Sequence, residues 1–323
     1  MSLDWLAPDE YTYTDPAPIA VLVPGLTGSA ESVYIQRTAV GLAARGYRVA
    51  CYNPRGRGRN ELKTPFLYSA GYTEDLRRAV KAIRKEHPGA AVVAAGFSLG
   101  ANYLAKYFGE EGARCKLSAG VSLACPADCI SMSNNLLHTT LGQLCDKLLI
   151  GGCKVMLNEI EAVVKLHPQI DLETVNDAAT MADFDDAAIA PMMGCSSASD
   201  YYRESSSAPW IQYIKRPYMF VSSRNDPIAP AHLIRQDIFQ GTKAKNPEDP
   251  PLPVLLAITQ EGGHSMLWNE GWDAKQSWSL HAVADFFDAA LAVERKSGGN
   301  GGNGGNGGSH DAGQGAASRR SVV

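Results

Sequence analysis

Short apolar runs alternate with segments of helical periodicity along most of the chain. Each run is bounded by turn residues, a pattern typical of buried strands. The runs are Ile19–Val23, Arg48–Tyr52, Ala90–Ala95, Ala119–Ala124, Tyr218–Ser222 and Val254–Ile258. The helical segments are Ser29–Arg45, Thr73–Glu86, Leu99–Gly109, Ala231–Ile238 and Ser277–Arg295. Buried strands separated by helices predict an α/β fold with a mostly parallel sheet and helices on both of its faces.

This alternation breaks in the middle of the chain. From residue 125 to about residue 215 no strand pattern is visible, and helical stretches such as Thr140–Leu149 and Val155–Leu166 occur. We therefore predict a helical lid, residues 125–215, inserted into one α/β domain built from residues 1–124 and 216–295. Residues 296–323 begin with repeats of Gly and Asn and have little to bury, so we expect a disordered tail.

Composition and charge narrow the class of protein. The 323 residues are 45% apolar, as in globular chains, and the net charge of −4 argues against nucleic acid as a partner. No apolar run approaches the roughly 18 residues of a transmembrane helix, and the N-terminus lacks the features of a secretory signal. The odd count of seven cysteines, without a C-x-x-C motif, predicts reduced, mostly buried thiols in a cytoplasmic protein.

A candidate nucleophile directly follows the strand Ala90–Ala95. The segment Gly96-Phe97-Ser98-Leu99-Gly100 has the form G-x-S-x-G and leads straight into the helix Leu99–Gly109. A strand, a tight turn and a helix make a nucleophile elbow, in which backbone N–H groups at the helix N-terminus face developing negative charge. This context predicts Ser98 as a nucleophile. The alternative is a glycine-bracketed turn that holds an inert serine.

A serine hydroxyl needs a base to remove its proton and an acid to orient that base. In the chain order Ser, Asp/Glu, His, the acid follows a late strand and the histidine lies on a still later loop. Asp226 comes after Tyr218–Ser222, and His264 follows two glycines after Val254–Ile258. The other six histidines precede the acid, follow it too closely, or lie in the last helix or the tail. We predict Asp226 as the acid and His264 as the base; a turn or helix cap is the alternative for Asp226.

Two backbone amides are candidates for an oxyanion hole. One is the N–H after the serine, that of Leu99, and the other comes from the loop after the first apolar strand. In that loop Gly25 and Gly28 permit a backbone that turns its amides inward, which makes Leu26 the expected donor. An ordinary glycine turn is the alternative. The loop is not a P-loop, because no G-K-[ST] follows.

Several further motifs are interpreted as structural. The run Arg55-Gly56-Arg57-Gly58-Arg59 is short and lies on an acidic chain, so we do not expect it to bind RNA. The cluster Asp183-Phe184-Asp185-Asp186 lacks EF-hand spacing, and a solvated or helix-capping role is expected. Tyr201-Tyr202 and Trp210 are expected in the core of the lid. The final Ser321-Val322-Val323 fits a PDZ-type carboxylate ligand, which leaves such a contact open.

Taken together, these residues resemble the YheT-type branch of the α/β-hydrolases, which includes embryogenesis-associated plant hydrolases and monoacylglycerol-lipase-like esterases. The resemblance covers about residues 3–294 and rests on motifs in the order and spacing of that branch: Leu3-Asp4-Trp5, Gly25-Leu26-Thr27-Gly28, Asn53-Pro54-Arg55-Gly56, Gly96-Phe97-Ser98-Leu99-Gly100, Phe184-Asp185-Asp186, Tyr201-Tyr202, Asn225-Asp226-Pro227 and Gly262-Gly263-His264. It implies an α/β-hydrolase fold with a lid, a triad of Ser98, Asp226 and His264, and hydrolysis of carboxylic esters. The branch usually has His-Gly before its Leu-Thr-Gly loop, and Pro24 replaces that histidine here. The resemblance also implies an N-terminal extension, often a membrane anchor, ahead of Leu3.

Three functions stay open at this stage. The leading hypothesis is a serine esterase or lipase that cleaves acylglycerols or short- and medium-chain fatty acyl esters through an acyl-enzyme on Ser98. An acyltransferase that uses an alcohol in place of water is one alternative, and a catalytically silent hydrolase-fold scaffold is another. We expect a small ester or lipid as the partner, with peripheral membrane contact compatible, and neither a cofactor nor a metal ion.

Overall fold

An eight-stranded sheet organises the computed structural model, which describes residues 1–6, 16–234, 239, 253–264, 277–299 and 321–322. The strands are β1 (Ser2–Trp5), β2 (Ile19–Val23), β3 (Arg48–Asn53), β4 (Val92–Phe97), β5 (Ala119–Leu123), β6 (Tyr218–Ser223), β7 (Val254–Thr259) and β8 (Ser321–Val322). Their order across the sheet is β7-β6-β5-β4-β2-β3-β1-β8. Strands β2 to β7 pair in parallel, whereas β1 and β8 are antiparallel. This confirms the predicted α/β fold with a mostly parallel sheet.

The helices cover both faces of the sheet. They are α1 (Val33–Ala44), α2 (Glu74–Glu86), α3 (Leu99–Glu111), α4 (Cys129–His138), α5 (Thr140–Glu159), α6 (Glu161–Val164), α7 (Leu172–Asp177), α8 (Met181–Phe184), α9 (Ala190–Met193), α10 (Ala198–Ser205) and α11 (Trp278–Gly299). Successive residues of β2 enter different cores: Ile19 and Val21 pack with α2 and α3, whereas Ala20 and Leu22 pack with α1 and α11. The strand is buried on both sides, which is why it reads as a continuous apolar run.

Helices α4 to α10 lie between β5 and β6, where the sequence predicts the lid. Apolar side chains of this segment form a third core of their own, which includes Ile150, Leu157, Phe184 and Tyr202. The two helical stretches expected at Thr140–Leu149 and Val155–Leu166 are wrong as separate elements. One helix, α5, continues through both until Glu159, and the short α6 follows. The domain boundaries themselves stay a prediction.

Both ends of the chain add strands that the sequence pattern does not predict. Ser2–Trp5 is too short to show clear alternation, yet it pairs with β3 and buries Leu3. In the tail, Ser321–Val322 pairs with β1. The rest of the predicted disordered tail, from residue 300 to 320, and most of the helix expected at Ala231–Ile238 lie outside the described residues. The PDZ-type contact stays a prediction.

One buried side chain ties the lid to the sheet. Asn102, on α3, is completely inaccessible to solvent. Its Nδ2 donates to the carbonyl oxygens of Ala70, at 3.0 Å, and Ser205, at 2.9 Å. Its Oδ1 accepts the Ser207 N–H at 2.9 Å. The end of the lid is therefore held to α3 by an amide whose hydrogen bonds are made inside the protein, where unpaired groups are costly.

We expect Asn102→Ala to lower the free energy of unfolding by about 3 kcal/mol, because it leaves three buried backbone groups without partners. Urea denaturation of the purified variant measures this loss. Asn134→Ala, at an exposed position of α4, is the matched control and should stay within about 0.5 kcal/mol of the parent. Equal effects of the two substitutions would contradict the role given to Asn102.

Candidate active site

Ser98 stands in a strained turn between β4 and α3. Its backbone has φ of 52° and ψ of −122°, a conformation that side-chain-bearing residues rarely adopt. The turn is tight because glycines bracket it. A Cβ on Gly96 would lie 2.5 Å from the Gly100 carbonyl oxygen, and a Cβ on Gly100 would lie 2.2 Å from that of Pro24. Only glycine fits at either place, and the strand–turn–helix context expected from the sequence is present.

The structure brings the three predicted residues into one hydrogen-bonded chain. Ser98 Oγ lies 2.7 Å from His264 Nε2. On the other side of the ring, Nδ1 lies 2.8 Å from Asp226 Oδ2 and 3.0 Å from Oδ1. The Asp226 side chain is inaccessible to solvent, whereas the His264 side chain is 20% exposed. A buried carboxylate, an imidazole and a hydroxyl in this order can transfer a proton away from the serine.

The loops that carry Asp226 and His264 are joined to each other. Asp226 Oδ1 accepts the backbone N–H groups of Ile228, at 2.8 Å, and Ala229, at 2.9 Å, which fix the carboxylate within its own turn. The preceding residue, Asn225, accepts the Gly263 N–H on Oδ1 at 2.9 Å. Asn225 is a positioning residue that the sequence reasoning missed, because its partner lies 38 positions away.

The loop Gly25–Gly28 lies against Ser98, since a Cβ on Gly25 would be 3.1 Å from the Ser98 Cβ. Two tyrosine hydroxyls hold it: Tyr34 accepts the Gly25 N–H at 2.9 Å, and Tyr68 accepts the Thr27 N–H at 2.6 Å. Both tyrosines were missed from sequence. They order the loop in a chain where Pro24 replaces the histidine of the resembled branch.

The amides predicted for the oxyanion hole lie beside the serine. Leu26 and Leu99 line the same cavity as Ser98. The Leu99 N–H is the first of α3 and has no acceptor within the helix. No described residue accepts the Leu26 N–H, although both of its neighbours in the loop donate to tyrosines. Their role as oxyanion donors stays a prediction.

An apolar cavity opens between the sheet and helices α4, α5, α8 and α10. It contains about 890 Å³ of empty space, with solvent at its mouth included, which lies in the usual range for ligand sites. The apolar side chains that line it include Leu26, Met132, Leu136, Leu149, Met156, Met181, Phe184, Ile189 and Ile228. Two thiols also line it, and burial raises the pKa of Cys129 and of Cys153 to about 12. Both are therefore protonated near neutral pH, which leaves them poor nucleophiles.

One carboxylate lines this cavity. Asp185 is 8% exposed, and Tyr202 Oη donates to its Oδ2 at 2.7 Å. Burial raises the pKa of Asp185 to about 7. The expectation of a solvated or capping cluster is therefore wrong for Asp185, because Tyr202 packs over it. The expectation agrees with the two exposed neighbours: Asp183 caps α8, and Asp186 accepts the Ala198 N–H.

The remaining motifs have structural partners. In the run from Arg55 to Arg59, Arg55 forms a bidentate pair with the buried Asp75, Arg57 pairs with Glu159 and Arg59 with Glu31. The rings of Tyr201 and Tyr202 belong to the core of the lid and also line the cavity, whereas Trp210 packs on Tyr213.

Three checks for other kinds of site concern only the described residues. All seven cysteines lie there, and none is bonded to another. In the same segments, no three His, Cys, Asp or Glu side chains are arranged to bind a metal ion. None of the helices described is both long enough and apolar enough to cross a bilayer.

Comparison with known proteins gives one matching family and several relatives. The family described as serine aminopeptidase, S33, matches residues 14–184. The embryogenesis-associated protein EMB8 of Picea glauca is 31% identical over 84% of this chain and 58% of its own length. Human phospholipase ABHD3 is 28% identical over 90% of this chain and 69% of its own. Yeast monoacylglycerol lipase is 28% identical over 77% and 55%. The chain thus spans little more than half of the first and third of these relatives.

A solved structure gives the same picture of the fold. The monoacylglycerol lipase of Paleococcus ferrophilus superposes with a TM-score of 0.52, over 90% of this chain and all of its own. The sequence identity is 16%, so this likeness concerns the fold alone.

The raised pKa of Asp185 predicts how stability depends on pH. An acid whose pKa rises from 3.8 to about 7 on folding binds its proton more tightly in the native state. This contribution is therefore fully present below pH 3.8 and declines as the pH rises to about 7, by at most about 1.4 kcal/mol per pH unit. Asp185→Asn should thus gain stability over the parent, more at pH 8 than at pH 5.

Urea unfolding of both proteins at the two pH values measures this difference. Asp186→Asn removes a carboxylate from the exposed side of the same segment and is the matched control. If the gain from Asp185→Asn were the same at pH 5 and pH 8, the native carboxyl group would not have a raised pKa.

Proposed function

Because this chain belongs to the α/β-hydrolase family described as serine aminopeptidase, S33, we propose that it is a serine hydrolase of lipid-type carboxylic esters. One observation carries the proposal: the hydrogen-bonded chain of Asp226, His264 and Ser98 ends at an apolar cavity. A nucleophile activated by a base is useful only where a substrate carbonyl can reach it, and Ser98 lines that cavity.

The geometry supports a two-step mechanism. His264 Nε2 accepts the Ser98 proton while Oγ attacks the ester carbonyl carbon, and Asp226 holds the imidazolium that forms. The N–H groups of Leu26 and Leu99 donate to the carbonyl oxygen as it becomes negative. His264 then gives the proton to the departing alcohol, which leaves an acyl-enzyme. Water attacks that ester, His264 takes the proton of the water, and the acid leaves as Oγ recovers its hydrogen.

The substrate class follows from the lining of the cavity. Methionine, leucine and phenylalanine side chains surround the space next to Ser98, and such a surface favours an acyl chain over water. Two relatives are named for action on lipid esters, a monoacylglycerol lipase and a phospholipase. We therefore assign acylglycerols and short- or medium-chain fatty acyl esters as the substrates of this chain.

A fluorophosphonate probe tests the proposed nucleophile. The probe should label the native protein at Ser98, because an activated serine attacks phosphorus as it attacks a carbonyl carbon. Ser98→Ala should abolish both labelling and hydrolysis of p-nitrophenyl esters. Gel fluorescence and peptide mass spectrometry locate the adduct.

Ser133→Ala is the matched control, since Ser133 lines the same cavity without contact to His264. It should be labelled like the parent protein. Labelling of Ser98→Ala at the parent level would contradict the assignment, and a native protein with neither labelling nor turnover would favour the silent scaffold.

The tyrosine that holds the oxyanion loop gives a second prediction. Tyr68→Phe removes the acceptor of the Thr27 N–H, so the Leu26 amide loses its fixed direction. We expect kcat to fall between about tenfold and a hundredfold with KM changed less than about twofold, because the loss concerns the transition state. Steady-state kinetics on p-nitrophenyl butyrate separates the two constants.

Tyr213→Phe removes the hydroxyl of an exposed tyrosine and should leave both constants unchanged. A rise in KM without loss of kcat in Tyr68→Phe would indicate that the hydroxyl serves substrate binding and does not orient the loop.

A further inference from the structure

The carboxylate of Asp185 has one hydrogen-bond partner in a cavity with few polar groups. Tyr202 Oη donates to Oδ2, and among the described residues no donor reaches Oδ1. None of the described Lys, Arg or His side chains forms an ion pair with it. A buried carboxylate usually has two or more donors or a cation, so this one has unused capacity directed toward a ligand.

The backbone at this position is also unusual. Residues Asp185–Ile189 form a single π-helical turn between α8 and α9. Such turns are rare and occur frequently at functional sites, because the wider turn changes which side chains face inward. Here Asp185 and Ile189 both line the cavity, whereas Asp186 is exposed.

The groups around Asp185 supply no positive charge. The titratable side chains that interact with it are Asp146 and Cys153 on α5, Cys129 on α4, and Tyr201 and Tyr202 on α10. All are acidic or neutral. The carboxyl group is therefore near balance between its two protonation states, and burial is the main reason.

A hydroxyl group is the ligand that suits both states. It donates to the carboxylate and accepts from the protonated acid, whereas an ammonium group can only donate. It also loses less hydration than a cation on entering an apolar cavity. We infer that Asp185 and Tyr202 form a subsite that binds a hydroxyl group of the ester substrate. This rests on the proposed function only in that the ligand is the substrate.

The cavity connects this subsite to the nucleophile, because Ser98 and Asp185 line the same space. An ester held with its carbonyl at Ser98 therefore has the remainder of the molecule near Asp185. The hydroxyl belongs either to the alcohol part, as in a glycerol ester, or to the acyl chain. A hydroxylated ester should bind at least about tenfold more tightly than its match without the hydroxyl, the usual size of a hydrogen bond to a charged group.

Titration calorimetry on the Ser98→Ala protein tests this without turnover. One arm compares 1-monodecanoylglycerol with ethyl decanoate, and the other compares ethyl ω-hydroxydecanoate with ethyl decanoate. A tenfold or greater preference in the first arm places the hydroxyl on the alcohol, and in the second arm on the acyl chain. Equal affinities in both arms overturn the subsite, even if fluorophosphonate labelling shows that Ser98 is the nucleophile.

Two variants in the Ser98→Ala background assign the preference to these residues. Asp185→Leu keeps the approximate size of the side chain and should bring the preference to about onefold while ethyl decanoate still binds. Tyr202→Phe leaves the carboxylate in place and should reduce the preference less. A hydroxyl preference that survives Asp185→Leu, or equal weakening of all ligands, overturns the assignment.

A charged analogue provides the final control. Ethyl ω-aminodecanoate should bind more weakly than the ω-hydroxy ester in the native cavity, because its ammonium group must lose its hydration. Tighter binding of the amine would show that Asp185 is a cation site and overturn the inference. The Asp186→Asn protein, changed at the exposed neighbour, should keep the hydroxyl preference of the parent.

Discussion

The close contact of two backbones at the end of β4 is the constraint on which the rest of the site depends. No Cβ fits at Gly100, because the Pro24 carbonyl oxygen occupies that space. Helix α3 can therefore begin directly beside the loop that follows β2. The same contact forces Ser98 to positive φ and places the Leu99 and Leu26 amides beside one cavity. Nucleophile and loop form one rigid unit, which the acid and base need only to reach.

The lid supplies the wall of the cavity and contributes to the alignment of the acid. Asn135, on α4, donates to the Pro227 carbonyl oxygen at 2.8 Å, next to Asp226. Asn102 holds the end of the lid to α3, the helix that begins after Ser98. Because the lid has its own apolar core, the cavity wall is part of a packed structure whose polar ties lead back to the catalytic loops.

Local sequence predicts those parts of the protein whose cause is local. The six parallel strands appear as apolar runs because each is buried on both faces, and Ser98, Asp226 and His264 follow from the strand or loop that precedes them. Tyr34 and Tyr68 could not be found this way, because their partners are defined only after the sheet has formed. Asp185 reads as a solvated acid until Tyr202 covers it. Strand β1 is too short for its alternation to count.

A single hydrogen bond closes the base of the lid. The Ala208 N–H donates to the Ala127 carbonyl oxygen at 2.9 Å, so the chain leaves and re-enters the fold at one place between the adjacent strands β5 and β6. The sheet is thus insensitive to what lies between these points, and doubling the length of a flexible insert costs only about 0.6 kcal/mol in closure entropy. Chemistry and selectivity are consequently inherited on different segments of the gene. A lineage can exchange the whole recognition module in one recombination event and keep its reaction.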